Sequence, residues 1–235
     1  NDCEATFVDS DCAVGYTGFY APLDYSSEWR ANGKAGFFND EFGKAQLHAD
    51  WVTTLGTWAT NNGVLQQTNQ TLTNTNLYAA LNQTQDGTWL YEFDGKISGT
   101  NADRRAGLHF FCSDPAATNR GESYFVWLRA DGNKAQIYRT KDNVFTLEAE
   151  ADALIEVNTW YNYRITYHPA SGKINFYQNG NLLVTFTDTN AYKSGQGLSL
   201  RSGNSLFEVD NLRVYRSRLG SATTITVGSD PTDMV

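Results

Sequence analysis

Apolar and polar residues alternate in short runs through most of the chain. The runs GVLQQTN, NLYAAL, TWLYEFDGKI, RRAGLHFF, SYFVWLRA and KAQIYRT are followed by WYNYRITYH, KINFYQNG, NLLVTFTD, GLSLRSG and LFEVDNLRVYR. Alternation with period two, rich in β-branched and aromatic residues, marks strands that bury one face. Turn residues separate the runs: Asp86-Gly87, Asp131-Gly132-Asn133, Ser171-Gly172 and Asn179-Gly180. Asn-Gly readily supplies the positive φ of a two-residue hairpin. Roughly a dozen strands with short polar turns predict an all-β domain, a two-sheet antiparallel jelly-roll sandwich. Only TLEAEADALIEV (146–157) carries weak helical spacing, and a short helix or a loop fits it equally.

The same alternation exposes an anomaly in RRAGLHFFCSDPAATNRGESYFVWLR (104–129). If Ala106, Leu108 and Phe110 face a core, then Arg105, His109 and Phe111 face away from it. If Tyr124, Val126 and Leu128 face in, Phe125, Trp127 and Arg129 face out beside Ser123. In the next run, inward Ala135 and Ile137 leave Gln136 and Tyr138 outside. This second face is too aromatic for plain solvent contact, so it predicts either a ligand surface or an interface. Other tryptophans read as structural: Trp89 and Trp160 under adjoining strands, Trp51 and Trp58 at the edge of the core.

Composition narrows the partners. With 26 acidic against 18 basic residues, the net charge is -8, which disfavours a phosphate backbone or an anionic membrane surface. No apolar run of about 20 residues is present to cross a bilayer. The opening NDCEATF lacks the basic and apolar regions of a signal peptide, so the chain reads as cytosolic, or as a mature or excised piece of an exported protein. Cys3 and Cys12 are close enough in sequence to form a local disulfide, with two free thiols as the alternative. Cys112 has core parity and reads as a buried, inert thiol. Three histidines and three cysteines show no zinc spacing. Residues 1–36 are aromatic (Phe7, Tyr16, Phe19, Tyr20, Tyr25, Trp29) and poor in aliphatics, an arm expected to pack on something. Residues 37–217 hold the sandwich, and 218–235 read as a linker or the start of a following domain.

From about Phe37 to Tyr215 the layout resembles the concanavalin A-like jelly rolls, which include laminin-G-like modules and family 16 β-glucanases. The resemblance rests on FFNDEF, GTWATNNGVLQQ, YEFDGKISGT, AGLHFF, SYFVWL, TWYNYRITYHPASGKINFYQNG and EVDNLRVY, in that order. In the glucanases, two glutamates with an aspartate between them alternate along one strand of the concave sheet. Retaining hydrolysis needs two carboxyls about 5 Å apart on one face. The matching strand here is SYFVWLR, whose alternate slots hold Ser123, Phe125 and Trp127, so the resemblance comes without the catalytic motif. Glu122 is adjacent but has the wrong parity, and Glu148, Glu150 and Asp152 read as a solvated face.

The resemblance places Arg105, His109, Phe111, Phe125, Trp127, Arg129, Gln136 and Tyr138 on the floor of the concave face. Aromatic rings rimmed by polar donors imply a non-catalytic polysaccharide-binding module of a larger secreted or cell-surface bacterial protein. Two alternatives stand beside it. One is a structural or adhesion module whose concave face packs on another protein domain. The other is a polysaccharide lyase or hydrolase with an atypical site, a lyase working through His109, Arg105 and Tyr138. The resemblance further implies one structural Ca2+, held by Glu41, Gly63 and Asp210 with Asp40 as a possible extra ligand. Alternatively, Asp210 merely accepts backbone hydrogen bonds.

Overall fold

The computed structural model describes residues 38–217 and the backbone of the strand Phe19–Tyr20. In chain order the strands are β1 (Phe19–Tyr20), β2 (Phe38–Asp40), β3 (Trp51–Leu55), β4 (Trp58–Asn61), β5 (Val64–Gln67) and β6 (Asn76–Thr84). Next come β7 (Trp89–Ser98), β8 (Arg105–Cys112), β9 (Ser123–Arg129), β10 (Lys134–Lys141) and β11 (Val144–Asp152). The series closes with β12 (Trp160–His168), β13 (Lys173–Gln178), β14 (Asn181–Thr187), β15 (Ser194–Gly203) and β16 (Leu206–Ser217). They form a seven-stranded sheet in the order β11-β10-β9-β8-β15-β6-β3 and a nine-stranded sheet in the order β14-β13-β12-β7-β16-β5-β4, with β1 and β2 also paired to β16. Every pairing is antiparallel, and no helix occurs among the described residues. The chain is the expected all-β jelly-roll sandwich.

Inner faces of both sheets meet in one core. Ala106, Leu108, Phe110, Tyr124, Val126, Leu128, Ala135 and Ile137 come from the seven-stranded sheet; Tyr91, Phe93, Tyr163, Ile165, Phe176 and Val209 face them from the other. Burying each Leu, Ile, Val or Phe among them contributes about 1.5–3 kcal/mol. Tight turns fix which residues pair. Asn179 (φ 49°) and Gly180 (φ 80°) join β13 to β14 with Gln178 opposite Asn181, as the Asn-Gly signal predicts. Gly172 (φ 73°) sits so close to Asp188 that an added Cβ would lie 1.9 Å from its carbonyl oxygen.

The structure corrects the sequence reading in three places. Residues 144–152 form strand β11 and pair along β10, so the 146–157 segment begins as a strand, neither helix nor loop. Edge pairing along β10 overrides its weak helical spacing. Trp160 is 40% exposed, with the Lys96 ammonium 5.0 Å from its ring, and does not pack beneath its neighbours. Phe111 is the third. It has φ 53°, and the β8–β15 register shifts between Gly197 and Ser199. This bulge resets the alternation, so Phe111 turns into the core beside Phe110. Its ring meets Tyr167 edge-on at 4.7 Å and Trp89 at 5.8 Å. Gln83 Oε1 accepts the Phe111 N–H at 2.9 Å and holds the bulge in place.

Trp89, Trp51 and Trp58 are buried as expected. So is Cys112, a free thiol whose pKa burial raises further. Within the aromatic arm, Phe19–Tyr20 pairs with Arg216–Ser217 on the nine-stranded sheet. Cys3 and Cys12 lie outside the described residues, as does 218–235.

Because Phe111 fills the core, Phe111→Ala is expected to cost about 3–5 kcal/mol in urea unfolding. A near-neutral effect would return this side chain to the outer face.

Candidate functional site on the outer face of the seven-stranded sheet

Strands β8, β9 and β10 bury their inner residues, so period-two geometry sends Arg105, Phe125, Trp127 and Tyr138 to the other side. Register places His109 opposite Phe125 and Tyr138 opposite Phe125 on the far side, giving one continuous row. Phe145 from β11 and Arg201 from β15 complete it. Together with Thr73, Asp103, Gly203 and Asn204, the side chains of Arg105, Phe125, Trp127, Tyr138, Phe145 and Arg201 line a pocket of about 400 Å³.

The floor is an interlocked aromatic cluster. Phe125 contacts Trp127 at 4.6 Å, Phe145 at 5.7 Å and Tyr138 at 6.2 Å between ring centroids. Phe125 is 3% and Trp127 7% exposed, so the rings present narrow surfaces to the pocket. The Arg201 guanidinium lies 4.9 Å from Phe145, 5.6 Å from Phe125 and 5.7 Å from Trp127. A cation above aromatic faces is held by their quadrupoles. Burial lowers the Arg201 pKa to about 10, still well above neutrality.

One end of the face is closed by the β8–β9 loop, residues 113–122. Its Arg120 is fully buried and donates to Ser199 Oγ (2.9 Å), Asn74 Oδ1 (2.9 Å) and the Thr75 and Thr118 carbonyls. Asn76 Nδ2 donates to the Pro115 carbonyl at 2.9 Å. Beside this loop, His109 is buried. Its ring stacks on Phe125 at 3.8 Å and 6°, and Nδ1 lies 3.1 Å from Ser123 Oγ. Burial, then the Arg120 and Arg201 cations, push its pKa well below the usual histidine range. Burial thus favours the neutral form of His109, and the ring lies outside the pocket lining.

Of the eight residues expected on this floor, four line the pocket: Arg105, Phe125, Trp127 and Tyr138. His109 and Phe111 are buried. Gln136 is spent between Glu150, to which Nε2 donates at 2.5 Å, and Tyr138, whose hydroxyl donates to Oε1 at 3.1 Å. Arg129 pairs with Asp131 through Nε (3.2 Å) and Nη2 (2.7 Å). Asp131 also receives Arg105 at 3.2 Å. Burial alone would raise its pKa, but the Arg129 hydrogen bond and both guanidinium charges outweigh it and hold the carboxyl below the usual range.

Arg201 was legible in GLSLRSG, where inward Leu198 and Leu200 force it outward. Phe145 was hidden in the ambiguous 146–157 neighbourhood. Thr73, Asp103, Gly203 and Asn204 come from loops and strand ends without sequence periodicity.

On the opposite sheet, β16 pairs with β5 through Phe207–Val209 and with β2 through Leu212–Val214. Asp210 and Asn211 lie between, where Asn211 (φ 51°) sits in a register break against β7. Gly63 (φ 79°) in the β4–β5 turn and Glu41 just after β2 border this gap by strand order. Burial, then the Asp94 and Glu41 carboxylates, lift the Asp210 pKa above the usual range against the Asn211 N–H and Arg213. Such crowding fits a cation. Asp40 already holds its own partners, its oxygens accepting from Phe42 N–H (2.8 Å) and Trp51 Nε1–H (2.7 Å). Among the described residues no three His, Cys, Asp or Glu side chains are grouped for a metal, so carbonyl oxygens would supply the remaining ligands.

This geometry defines a two-sheet module with an aromatic, arginine-bearing pocket on one outer face. Residues 96–224 match the family model described as the concanavalin A-like lectin/glucanases superfamily, and the chain belongs to that family. Solved structures agree on the fold. The carbohydrate binding module CBM66 from Bacillus subtilis is similar at TM-score 0.54 and 18% identity, covering 72% of this chain and 92% of that one. A Bacillus licheniformis β-glucanase gives TM-score 0.60 at 14% identity over 79% of this chain and 100% of that one. The carbohydrate recognition domain of Emp47p gives 0.58 at 12% identity, covering 77% and 95%. No curated protein sequence matches the chain.

Because folding holds His109 neutral, its share of stability is complete above the unfolded pKa of about 6.5 and is lost as pH falls below it. His109→Gln is expected to flatten this part of the pH–stability curve, measured by denaturant titration from pH 7.5 to 5. Parallel curves for the two proteins would refute the neutral buried histidine.

Proposed function

We propose that this chain is a carbohydrate-binding module that holds a polysaccharide in the outer-face pocket of the seven-stranded sheet without cleaving it. The observation that carries this reading is the pocket itself, where Phe125, Trp127, Tyr138 and Phe145 meet the polar groups of Thr73, Asp103, Arg105, Arg201 and Asn204. Ring faces and edges receive sugar C–H groups, and the polar rim pairs with hydroxyls. The similarity in fold to a carbohydrate binding module and a carbohydrate recognition domain supports it.

The chemistry of the lining supports binding without catalysis. Asp103 is the single carboxylate among the pocket residues, whereas glycoside hydrolysis by the common routes needs two across the scissile bond. The outward slots of β9 are Ser123, Phe125 and Trp127. Eliminative cleavage through His109 lacks its base, since that ring is buried against Phe125. A module of this kind works outside the cell, as a secreted or cell-surface part of a larger bacterial protein, where it keeps neighbouring domains of the same chain close to their glycan. Calcium at Glu41, Gly63 and Asp210 would tie β2, the β4–β5 turn and β16 together.

A glycan array followed by affinity electrophoresis tests the pocket. Tyr138→Ala, at a partly exposed position, is expected to weaken binding about tenfold with little loss of stability. Trp127→Ala is expected to weaken it further, at a cost in packing. Absence of binding to every polysaccharide, or unchanged binding by both variants, would favour a face that packs on protein. Release of reducing or unsaturated sugar ends would overturn the non-catalytic reading.

For the metal, adding calcium to EDTA-treated protein is expected to raise Tm by several degrees, and Asp210→Asn to abolish the rise. A Tm indifferent to EDTA would remove calcium from this module.

A further inference from the structure

Within the binding reading just given, and resting on it, the charges in the pocket discriminate among glycans. Arg105 has carboxylate partners at Asp131 (3.2 Å) and Asp103 (3.7 Å), and Arg129 shares Asp131. Arg201 differs. Among the described residues it forms no ion pair, and its one hydrogen bond runs from Nη1 to Asn119 Oδ1 at 3.1 Å. Its Nε is buried without an acceptor, while Nη2 makes no hydrogen bond and is not among the buried atoms. The guanidinium is thus pinned from below by Phe145, Phe125 and Trp127 and from one side by Asn119, with its remaining edge open to the pocket.

A desolvated cation without a counter-ion is costly, and a ligand anion offsets that cost. Arginine's fork suits a planar carboxylate, taken through one or two charge-assisted hydrogen bonds. The excess acidity of the chain elsewhere makes a general attraction for polyanions a poor explanation, since a net charge of -8 repels them. Selectivity has to come from this one local charge. We propose that the pocket recognises an acidic sugar, a uronic acid residue of a polysaccharide, with Arg201 taking the carboxylate and the aromatic floor receiving the pyranose ring.

Loop geometry supports the assignment. Asn119 is itself fixed, because its N–H donates to Asn143 Oδ1 at 3.1 Å and its Nδ2 to the Asn143 carbonyl at 2.7 Å. The guanidinium is therefore oriented before any ligand arrives, which reduces the ordering cost of binding. Arg105, across the pocket, is partly neutralised by Asp131 and Asp103 and serves hydroxyl or ring oxygens.

The test compares polygalacturonate and alginate with their carboxyl-reduced counterparts, with dextran sulfate and a panel of neutral glucans and galactans alongside. Affinity is read by calorimetry on the whole chain at fixed salt. Wild type is expected to bind a uronate polymer at least tenfold more tightly than its carboxyl-reduced form. Arg201→Gln is expected to erase that preference, and Arg201→Lys to restore part of it, with circular dichroism and Tm confirming that both variants fold. Binding of carboxyl-reduced or neutral polymers as tight as that of uronates would overturn the acidic-sugar assignment and leave the polysaccharide reading standing. Binding of dextran sulfate but of no uronate would replace carboxylate recognition by sulfate. No binding to any polymer in the panel would overturn both readings.

Discussion

Burial of one face of the seven-stranded sheet against the other sheet is the constraint from which the pocket follows. Ala106, Leu108 and Phe110, then Tyr124, Val126 and Leu128, then Ala135 and Ile137 occupy successive inner positions on three adjacent strands. A slip of one residue in any of them would send the whole set to the wrong side. With the inner set fixed, Arg105, Phe125, Trp127 and Tyr138 have a single side left to occupy, and their spacing is the strand spacing of the sheet. The core thus sets the side-chain layout of the outer face, although that face takes no part in joining the two sheets.

That outer face is not an open platform. The β8–β9 loop is anchored over one end of it by Arg120, a buried cation whose four hydrogen-bonding partners come from β15, its own loop and the segment before β6. His109 and Phe125 stack on each other beside it, so that part of the aromatic surface satisfies itself. What stays accessible is the half bounded by Arg105, Tyr138, Phe145 and Arg201. Under the binding reading proposed above, such a pocket suits a few sugar units better than a flat crystalline surface. The arginines also differ: Asp131 pairs with Arg105 and Arg129, while Arg201 has no carboxylate partner among the described residues.

Family membership fixes the scaffold and leaves the chemistry to be read locally. β9 is the plainest case. Its outward positions hold Ser123, Phe125 and Trp127, none of which carries the carboxyl that a retaining hydrolase needs. On the opposite sheet, the break in β16 at Asp210 and Asn211 brings acidic groups together at a gap between β2 and β5.

The sequence by itself determined the fold class, the Asn179-Gly180 hairpin and the outward positions of Arg105, Phe125, Trp127 and Tyr138. Each follows from period-two alternation or from a turn residue that tolerates positive φ, both local properties. Tertiary structure alone decided the rest. Phe111 enters the core because a bulge opposite β15, held by Gln83 from β6, resets the alternation partway along β8. Residues 144–152 become a strand because β10 offers an unpaired edge, and Phe145 reaches the pocket as a result. Arg201 and Phe125 are about 76 residues apart in sequence and 5.6 Å apart in space. Alternation tells each residue which side of its own strand it occupies. Which strands lie side by side, and which charges are left unpaired between them, depends on contacts that no local pattern encodes.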